Sequence, residues 1–251
     1  MTVSIVSHGH EDHVARLMLQ LCGVSSALVA RVVLTHNLPA DPVRAPEEGW
    51  PFRFTEVFNE RPRGFGANHN RAFAHCNTEV FCVLNPDIEL VEPDTLERML
   101  RPLQDPKVGC AYPRLFNADG SVQQNEREIV TPLALVRRHL WRQAQRRVDW
   151  VSGAFWMVPA KVWQTVGGFD EAFFMYCEDV EFCLRLQLAG WDLARADARA
   201  VHDASWASRR PGRPMLWHIR SLFRLWSKPA FRQFQARLQA KATGVERPTP
   251  P

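Results

Sequence analysis

The first half of the chain alternates short apolar runs with runs of helical periodicity, and this alternation constrains the fold more than any other feature. Residues 2–7 (TVSIVS) are rich in β-branched side chains, and residues 12–22 carry apolar residues at helical spacing. Residues 28–34 and 53–58 are further strand-like runs, and residues 79–90 (EVFCVLNPDIEL) hold an apolar strand broken by Asn-Pro-Asp. This repeated order predicts an α/β fold with a largely parallel, doubly wound sheet.

Polar residues follow three of the predicted strands. They occupy Ser7 to His10, Thr35 to Asn37 and Asn85 to Asp87. Ligands of open α/β sheets bind in the crevice outside the carboxyl ends of the strands. The three segments are therefore expected to line one binding crevice.

Asp87 is the first candidate for a metal ligand. It follows an apolar strand directly, so its carboxylate can enter the crevice without a long side chain. A divalent cation that bridges two phosphates typically takes one or two protein carboxylates and completes its shell with phosphate and water. Asn-Pro-Asp is also a common turn sequence, so the residues alone leave a purely structural role open.

A second acidic cluster lies in GGFDEAFFMYCEDVEFCLRLQLAGW, residues 167–191. Gly167-Gly168 favours a tight turn, and Glu178, Asp179 and Glu181 crowd the start of a predicted helix. Such acids are either stabilised by the helix dipole or include a general base that faces a cleft. Successive helical residues point about 100° apart, so Glu178 and Asp179 cannot share one role.

The segment GFGANHN offers a weaker ligand-binding signal. It resembles a phosphate-binding glycine loop but lacks the Lys-Ser/Thr of a P-loop and the spacing of the dinucleotide fingerprint. Gly64 and Gly66 would let the backbone approach a ligand closely. Asn68 and Asn70 would supply neutral hydrogen-bonding groups.

Two histidine-containing segments are candidates for metal binding. His202 follows an extended run, Leu193 to Val201, and is either a structural hydrogen-bonding residue or a ligand. The HGHEDH sequence at residues 8–13 has metal-ligating side chains, but we interpret it as the loop after the first strand.

The remaining sequence predicts a helix at 94–104, a strand at 106–116 and an excursion from the core at 117–148. The net charge is only +4, but basic residues concentrate in this excursion and at 209–213. Such patches favour phosphates or anionic membranes over sequence-specific nucleic acids, so no nucleic-acid partner is expected. The cluster in the excursion consists of Arg137, Arg138, Arg142, Arg146 and Arg147.

The carboxyl-terminal tail, residues 213–241, has one apolar helical face. That face is formed by Leu216, Ile219, Leu222, Phe223 and Trp226, while Arg220, Arg224 and Lys228 lie elsewhere. The helix is expected either to lie on an anionic membrane or to pack on the domain. The chain has no signal-like start and no run of about 18 apolar residues, which predicts a cytosolic location. The six scattered cysteines are expected to be free thiols.

The order of these motifs resembles that of family 2 glycosyltransferases with the GT-A fold, close to their bacterial rhamnosyltransferase-like branch. The resemblance covers about residues 2 to 208. The motifs that carry it are IVSHGH, VVLTHN, GFGANHNRAF, VLNPDIEL, VDWVSGAFWMV, GGFDEAFFMYCEDVEFCLRLQLAGW and VHDAS.

The resemblance implies specific roles. Asp87 matches the last acid of the family's metal-binding Asp-x-Asp motif, with Asn85 at its first position, and His202 completes the Mg²⁺ or Mn²⁺ or diphosphate site. Asp179 matches the acceptor-activating base, and Glu178 helps to orient the acceptor. The expected nucleotide-sugar contacts are Ser7, His36, Asn37, Gly64, Gly66, Asn68, Asn85 and Asp87. His36 stands where the family usually has an acid that contacts the nucleoside.

The implied activity is inverting transfer of a sugar, with rhamnose from dTDP-rhamnose as the preferred donor, to a glycan or lipid-linked acceptor in cell-surface polysaccharide assembly. Residues 1–208 would form the catalytic domain, with a nucleotide-sugar half at 1–115 and an acceptor half at 116–208. Residues 209–251 would form a basic tail that contacts the inner face of the cytoplasmic membrane. The alternatives are a two-carboxylate glycoside hydrolase and a degenerate sugar-nucleotide-binding protein.

Overall fold

A computed structural model describes residues 1–24, 27–129, 131, 147–203 and 213–242. Its centre is an eight-stranded sheet with the strand order β3-β2-β1-β4-β9-β6-β10-β5, and β7 and β8 pair separately. The strands are β1 (Thr2–Ser7), β2 (Arg31–His36), β3 (Arg53–Phe58), β4 (Val80–Leu84), β5 (Ile88–Leu90), β6 (Val108–Phe116), β7 (Glu126–Arg127), β8 (Trp150–Val151), β9 (Phe155–Pro159) and β10 (Asp192–His202).

Helices cover both faces of this sheet. They are α1 (Glu11–Val24), α2 (Phe65–Phe73), α3 (Thr95–Leu100), α4 (Ala160–Val166), α5 (Glu178–Leu188), α6 (Arg213–Ser227) and α7 (Pro229–Ala242). The helix predicted at 94–104 is divided, because α3 gives way to a 3₁₀ turn at Arg101–Gln104 that contains a proline. Proline lacks the N–H group that would continue an α-helix.

The sheet confirms the predicted α/β class. Strands β3, β2, β1 and β4 are neighbours and all parallel, whereas β9 runs antiparallel between β4 and β6. The second strand begins at Arg31 rather than at Leu28 as predicted. Before β2, the amide of Ala30 donates to the carbonyl of Met1, and the ammonium group of Met1 donates to the carbonyl of Leu28. These bonds tie residues 28–30 to the start of the chain.

After β4 the chain passes β9, β6 and β10 and reaches the outer strand position beside β10. The short strand β5 leaves its predecessor and pairs antiparallel with the end of β10, with Ile88 opposite His202. The break predicted at Asn85-Pro86-Asp87 is present, and the segments on its two sides are strands at different places in the sheet. This crossing brings Asp87, which directly precedes β5, to the last residue of β10.

Two apolar layers hold the sheet. One contains Leu17 and Leu21 of α1 and Leu96 of α3, and the other contains Trp163 of α4 and Phe182 of α5. Burial of one large apolar side chain contributes about 1.5–3 kcal/mol, so each layer fixes its helices firmly. The strand ends between the layers therefore have a rigid support.

The tail helices pack on α5. Leu225 of α6 and Phe231 and Phe234 of α7 are buried with Val180 and Leu184 of α5. Ser221 also donates a hydrogen bond to the carbonyl of Met175 at 2.8 Å. The tail is therefore packed on the domain through one face.

The opposite face of α6 is exposed. Leu216 and Phe223 are 66% and 65% exposed, and Ile219 is 44% exposed. Of the two alternatives for this helix, packing on the domain is present, through Leu222, Leu225 and Trp226 rather than through Leu216. Of the helices described, none is long and apolar enough to cross a membrane.

The predicted excursion is described in part. Residues 126–127 form a ribbon with β8, and Val122 bridges to Phe116. Most of the Arg-rich run, at 132–146, and most of the basic stretch at 209–213 lie outside the described residues. All six cysteines are free thiols, as predicted.

Candidate active site

The carboxyl ends of three neighbouring parallel strands lie side by side, as the sequence predicted. Ser7 of β1 lies opposite His36 of β2, and the amide of Asn37 donates to the carbonyl of Ser7 at 2.8 Å. Strand β4 lies on the other side of β1 and leads into Asn85. The side chain of Ser7 is itself buried, and its hydroxyl accepts a hydrogen bond from the amide of His10 at 3.2 Å.

Asn37 organises the loop beyond β3. Its Oδ1 accepts hydrogen bonds from the amide of Arg63 and from Nδ2 of Asn59, both at 2.8 Å, and its Nδ2 donates to the Arg63 carbonyl. Asn59 Nδ2 also donates to Oδ1 of Asn68 at 2.7 Å. Asn68 is fully buried, so the structure places it beneath the crevice surface as a support for this loop.

His36 is buried and is held by contacts with two residues of β3. Its Nε2 lies 2.8 Å from Oε1 of Glu56, and its ring stacks on Phe58 with centroids 4.5 Å apart. Glu56 also accepts a hydrogen bond from the amide of Val43 at 2.9 Å. Glu56 was not predicted as a partner of His36. The register of β2 and β3 pairs Glu56 with Leu34, so its side chain lies on the same face of the sheet as His36.

Gly64 and Gly66 are required by chain packing. A β-carbon on Gly64 would lie 2.8 Å from the carbonyl oxygens of Phe173 and Phe174, and one on Gly66 would lie 2.6 Å from Cβ of Phe169. Packing thus gives both glycines a structural reason on this side of the backbone, and their contact with a ligand stays a prediction. Their small size lets the segment 169–174 close over the start of α2, where Phe65 N–H donates to the Phe174 carbonyl.

Asp87 and His202 form a pair at the end of β10. Oδ2 of Asp87 lies 3.4 Å from Nε2 of His202, whose Nδ1 lies 2.7 Å from Oε1 of Gln123. Burial alone would raise the pKa of Asp87, but the hydrogen bond and charge interaction with His202 outweigh it, so this pKa is lowered. Gln123 was not predicted, because nothing in its local sequence indicates a contact with residue 202.

The Asp87–His202 pair fits a divalent cation. Oδ1 of Asp87 is buried and has no hydrogen-bond partner, so one carboxylate oxygen is left for a ligand. Gln123 fixes the ring of His202 through Nδ1, as second-shell groups do for metal-ligating histidines. In the described part of the chain no three His, Cys, Asp or Glu side chains are placed to hold a metal. The pair therefore suits an ion that takes its remaining ligands from phosphate and water.

Asp179 lies in the first turn of α5. Its Oδ1 accepts a hydrogen bond from the amide of Val180 at 2.8 Å, and its Oδ2 accepts a longer one from Gly153 at 3.4 Å. Burial raises the pKa of Asp179 to about 6, against the opposing effect of these bonds. The backbone enters this helix through two left-handed residues, Tyr176 (φ 69°) and Cys177 (φ 67°). Non-glycine residues adopt that conformation at a cost and often do so near functional sites.

Glu178 is more deeply placed than its neighbour. It is 5% exposed, its Oε2 has no hydrogen-bond partner, and burial together with the charge of Asp179 raises its pKa well above the usual range. The structure thus separates the two acids, as the helical spacing predicted. The proposed role of Glu178 toward an acceptor requires contact through its small exposed edge.

One turn joins the two acidic centres. Gly153 contacts Asp179, and the carbonyl of the next residue, Ala154, accepts a hydrogen bond from the amide of Asn85 at 2.8 Å. A β-carbon on Gly153 would lie 3.4 Å from Cβ of Asp179. Gly153 was not predicted as part of the site, although its position between two apolar strands indicates a turn there.

A sequence model of one protein family matches residues 47–226, which is more than half of the chain; the family is described as glycosyltransferase like family 2. The chain belongs to this glycosyltransferase family. Rhamnosyltransferase WbbL of Escherichia coli (strain K12) is 27% identical over 244 residues, which cover 88% of this chain and 90% of WbbL. An N-acetylglucosaminyl-diphospho-decaprenol L-rhamnosyltransferase of Mycobacterium tuberculosis is 30% identical over 165 residues, which cover 56% of this chain and 52% of that enzyme.

Solved structures of glycosyltransferases share the fold. TarS 1–349 of S. aureus in complex with UDP-GlcNAc matches with a TM-score of 0.60 and 14% identity over 86% of this chain and 60% of that chain. Mannosyltransferase PcManGT of Pyrobaculum calidifontis, in complex with GDP-Man and Mn²⁺, matches with a TM-score of 0.58 and 15% identity over 98% of this chain and 76% of that chain. The predicted GT-A fold is confirmed.

Proposed function

We propose that this family 2 glycosyltransferase is an inverting rhamnosyltransferase in which Asp179 is the general base. The observation that carries the proposal is the placement of Asp179: a half-buried carboxylate with a raised pKa, joined through one turn to the Asn85–Asp87 segment. A base is most effective when its pKa lies near the working pH. Above about pH 6, Asp179 is ionised and can accept a proton from an acceptor hydroxyl.

The chain holds this base by its backbone. The amides of Val180 and Gly153 donate to the two carboxylate oxygens, and the Gly153 bond is the long one at 3.4 Å. Oδ2 therefore keeps most of its basicity and is the oxygen that receives the proton. Direct displacement on the sugar by the activated hydroxyl inverts the configuration at the anomeric carbon.

Asp87 and His202 are the proposed ligands of Mg²⁺ or Mn²⁺. When bound, the ion offsets negative charge on the departing diphosphate. Gln123 orients His202, and the contact with His202 keeps Asp87 ionised. The mannosyltransferase PcManGT, which shares the fold, is described with Mn²⁺ and GDP-Man.

The donor is proposed to bind along the strand ends of residues 1–115. The preference for dTDP-rhamnose rests on the two relatives named as rhamnosyltransferases. Exposed Phe58, stacked on His36, would offer a ring face to a nucleobase. The residues proposed to contact or support the nucleotide sugar are Ser7, His36, Asn37, Gly64, Gly66, Asn68, Asn85 and Asp87.

The acceptor is proposed to be a hydroxyl of a glycan or lipid-linked oligosaccharide in surface polysaccharide assembly, bound by residues 116–208. The exposed face of α6 would bring the enzyme to an anionic membrane. Leu216, Ile219 and Phe223 form its apolar centre, and Arg220 and Arg224 flank it. An interfacial helix combines these two kinds of side chain.

Donor choice and inversion are tested together. The purified chain is incubated with Mn²⁺ and each of dTDP-rhamnose, UDP-GlcNAc and GDP-mannose, and stabilisation against heat is measured, because a ligand that binds only the folded form raises the unfolding temperature. We expect the largest shift with dTDP-rhamnose. Nuclear magnetic resonance of the product then gives its anomeric configuration; retention would exclude the direct displacement. Binding without turnover of donor would instead support the degenerate-protein alternative, which His36 and Asn85 motivate.

Membrane contact is tested by flotation with liposomes that contain anionic lipid. Replacing Leu216, Ile219 and Phe223 by glutamine is expected to abolish flotation without unfolding the domain, because these side chains are exposed. Leu19→Gln is the matched control, since Leu19 is 64% exposed on α1. Equal flotation of the triple variant and the wild type would remove the proposed role of α6.

A further inference from the structure

A pocket of about 430 Å³ lies on the acceptor side of the active site and is lined by three arginines. Arg114 comes from β6, Arg195 from β10, and Arg147 from the segment just before β8. One lining residue, Glu126, carries a negative charge, so guanidinium groups outnumber carboxylates in the described wall. Arginines from three separate elements approach the pocket from different directions, which suits an anion with oxygens on several sides.

The arginines keep hydrogen-bonding capacity for a ligand. Arg195 lies 3.3 and 3.4 Å from the two oxygens of Glu126, and Arg147 lies 3.3 Å from both oxygens of Asp149. Arg147 forms a bidentate pair with the buried Asp149, whereas the pair of Arg195 and Glu126 is more exposed. Each guanidinium has five N–H donors, and Arg114 is exposed. Arg114 can therefore bind an anion directly, and Arg147 and Arg195 can add the N–H groups that their carboxylate partners do not use.

The wall of the pocket is hydrogen-bonded to both acidic centres of the active site. Gln123 bonds to His202, the partner of Asp87. The carbonyl of Asn125 accepts a hydrogen bond from the amide of Ser152 at 2.9 Å, and Ser152 precedes Gly153, which contacts Asp179. The pocket wall is therefore joined to both acidic centres by short hydrogen-bonded segments.

The other lining groups narrow the chemistry of the ligand. Gln124 presents an exposed amide, which suits a sugar hydroxyl. Val122 and Val148 are exposed apolar residues at the wall, 52% and 37% exposed. The volume lies within the range of about 300–1,000 Å³ usual for small-ligand sites, and is too small for a nucleic-acid strand. Anion, hydroxyl and apolar contacts together fit a phosphorylated, lipid-linked sugar.

We propose that this arginine pocket binds the phosphate of a lipid-linked acceptor, so that Arg114, Arg147 and Arg195 position the acceptor sugar beside Asp179. The inference rests on the proposed function, because it assigns the acceptor class for the same reaction. It differs from the donor site, which lies at Asp87 and the strand ends of β1, β2 and β4. The three arginines are positioning residues and take no part in proton transfer.

The pocket is tested by calorimetric titration of the full chain in buffer with EDTA, which keeps metal-dependent diphosphate binding from contributing. The probes are farnesyl diphosphate and inorganic pyrophosphate. We expect farnesyl diphosphate to bind at least tenfold more tightly, and the double variant Arg114→Gln/Arg195→Gln to weaken it at least tenfold, because a hydrogen bond to a charged group is worth about one such factor. Arg53→Gln, an exposed arginine on β3, is the matched control and should bind as the wild type does.

Several outcomes decide the proposal. Equal affinity for the two probes would assign the pocket to a free anion and contradict an acceptor site. Unchanged affinity in the double variant would overturn the arginine pocket altogether. If the double variant unfolds, Arg114→Lys replaces it; this variant keeps the charge but loses the planar fork, and should weaken binding severalfold.

Donor binding separates this proposal from the proposed function. With Mn²⁺, the double variant should bind dTDP-rhamnose within about twofold of the wild-type affinity, since 1.4 kcal/mol would already be tenfold. A wild-type chain that binds farnesyl diphosphate in the pocket but no nucleotide sugar would defeat the proposed function and leave the pocket standing. The reverse pattern would remove the pocket and leave the transferase.

Discussion

Asp87 and Asp179 are carboxylates on the same edge of the sheet, yet their surroundings drive them in opposite directions. Asp87 faces His202, and that contact outweighs burial and lowers its pKa. For Asp179, burial outweighs the backbone hydrogen bonds and the charge of Arg127, and it raises the pKa to about 6. One acid is thereby kept charged, as a metal ligand needs, and the other is kept ready to take up a proton.

The proposed roles of the two acids follow from position in the fold more than from residue type. Asp87 is brought to its partner by a chain crossing that passes β9, β6 and β10, whereas Asp179 depends on a strained helix entry and a single turn at Gly153. Pairs of titratable groups whose pKa values are pushed apart commonly mark acid, base and electrostatic functions. Replacing each acid in turn tests this difference.

The largest effect is expected from Asp179→Asn. Removing a general base typically costs about 10²–10⁴-fold in rate, so turnover should fall by that factor while affinity for the nucleotide sugar stays within about twofold. Transfer assays and donor titration measure the two quantities. Asp192→Asn, an exposed acid at the start of β10, should behave as the wild type. Near-normal turnover of Asp179→Asn would exclude it as the base.

A smaller effect of a different kind is expected from His202→Gln. Loss of one ligand or of its support should weaken Mn²⁺ binding by about 10–100-fold and leave the pKa of Asp179 unchanged. Titration of Mn²⁺ followed by electron paramagnetic resonance gives the affinity. Gln123→Ala removes the support of His202 and should also weaken Mn²⁺ binding. Gln124→Ala is its control, because Gln123 is the one of the two that contacts His202. Normal Mn²⁺ binding by His202→Gln would exclude His202 as a ligand of the ion.

The pH dependence of kcat/KM should report Asp179. The base must be ionised, so kcat/KM is expected to be constant above about pH 6 and to fall about tenfold per unit below it. The pKa of Asp87 is lowered, which keeps Asp87 out of this window. Assays from pH 4.5 to 8 locate the break. A break near pH 4 would show that burial does not tune the base.

The smallest expected effect concerns stability. The pKa of Asp179 rises from 3.8 to about 6 on folding, so the folded state holds the proton more tightly and this group's contribution to stability falls as pH rises between those values. Asp179→Asn should therefore raise the unfolding temperature by about 2–4 °C at pH 7.5 and leave it unchanged at pH 4. Calorimetry at the two pH values checks this. A lower unfolding temperature at pH 7.5 would mean that the ionised acid is stabilising.

The sequence predicted the parts of this site that depend on local pattern. The apolar run before Ser7, the break at Asn85-Pro86-Asp87 and the helix start at Glu178 are all local features, and the structure has each of them. The parallel order of the early strands also predicted that the polar segments after them lie at the same end of the sheet. These predictions succeeded because burial and helical spacing act within a few residues.

The contacts between distant segments could not be predicted in this way. Gln123 meets His202 because it folds back onto the end of β6, where its amide bonds to the carbonyl of Leu115, and β6 pairs with β10; no local pattern encodes that partner. Gly64 packs against the Phe173–Phe174 backbone, which is far away in sequence and is not indicated by the local pattern. In both cases the missing information was which segments pack together.

The pairing of β5 with β10 also fixes the order in which the protein can acquire its parts during synthesis. Asp87 is made early, but its partner His202 is the last residue of the final strand of the sheet. A nascent chain that has released residues 1–115 from the ribosome still lacks this pair. The growing polypeptide therefore completes the proposed cation-binding pair only after β10 has been made.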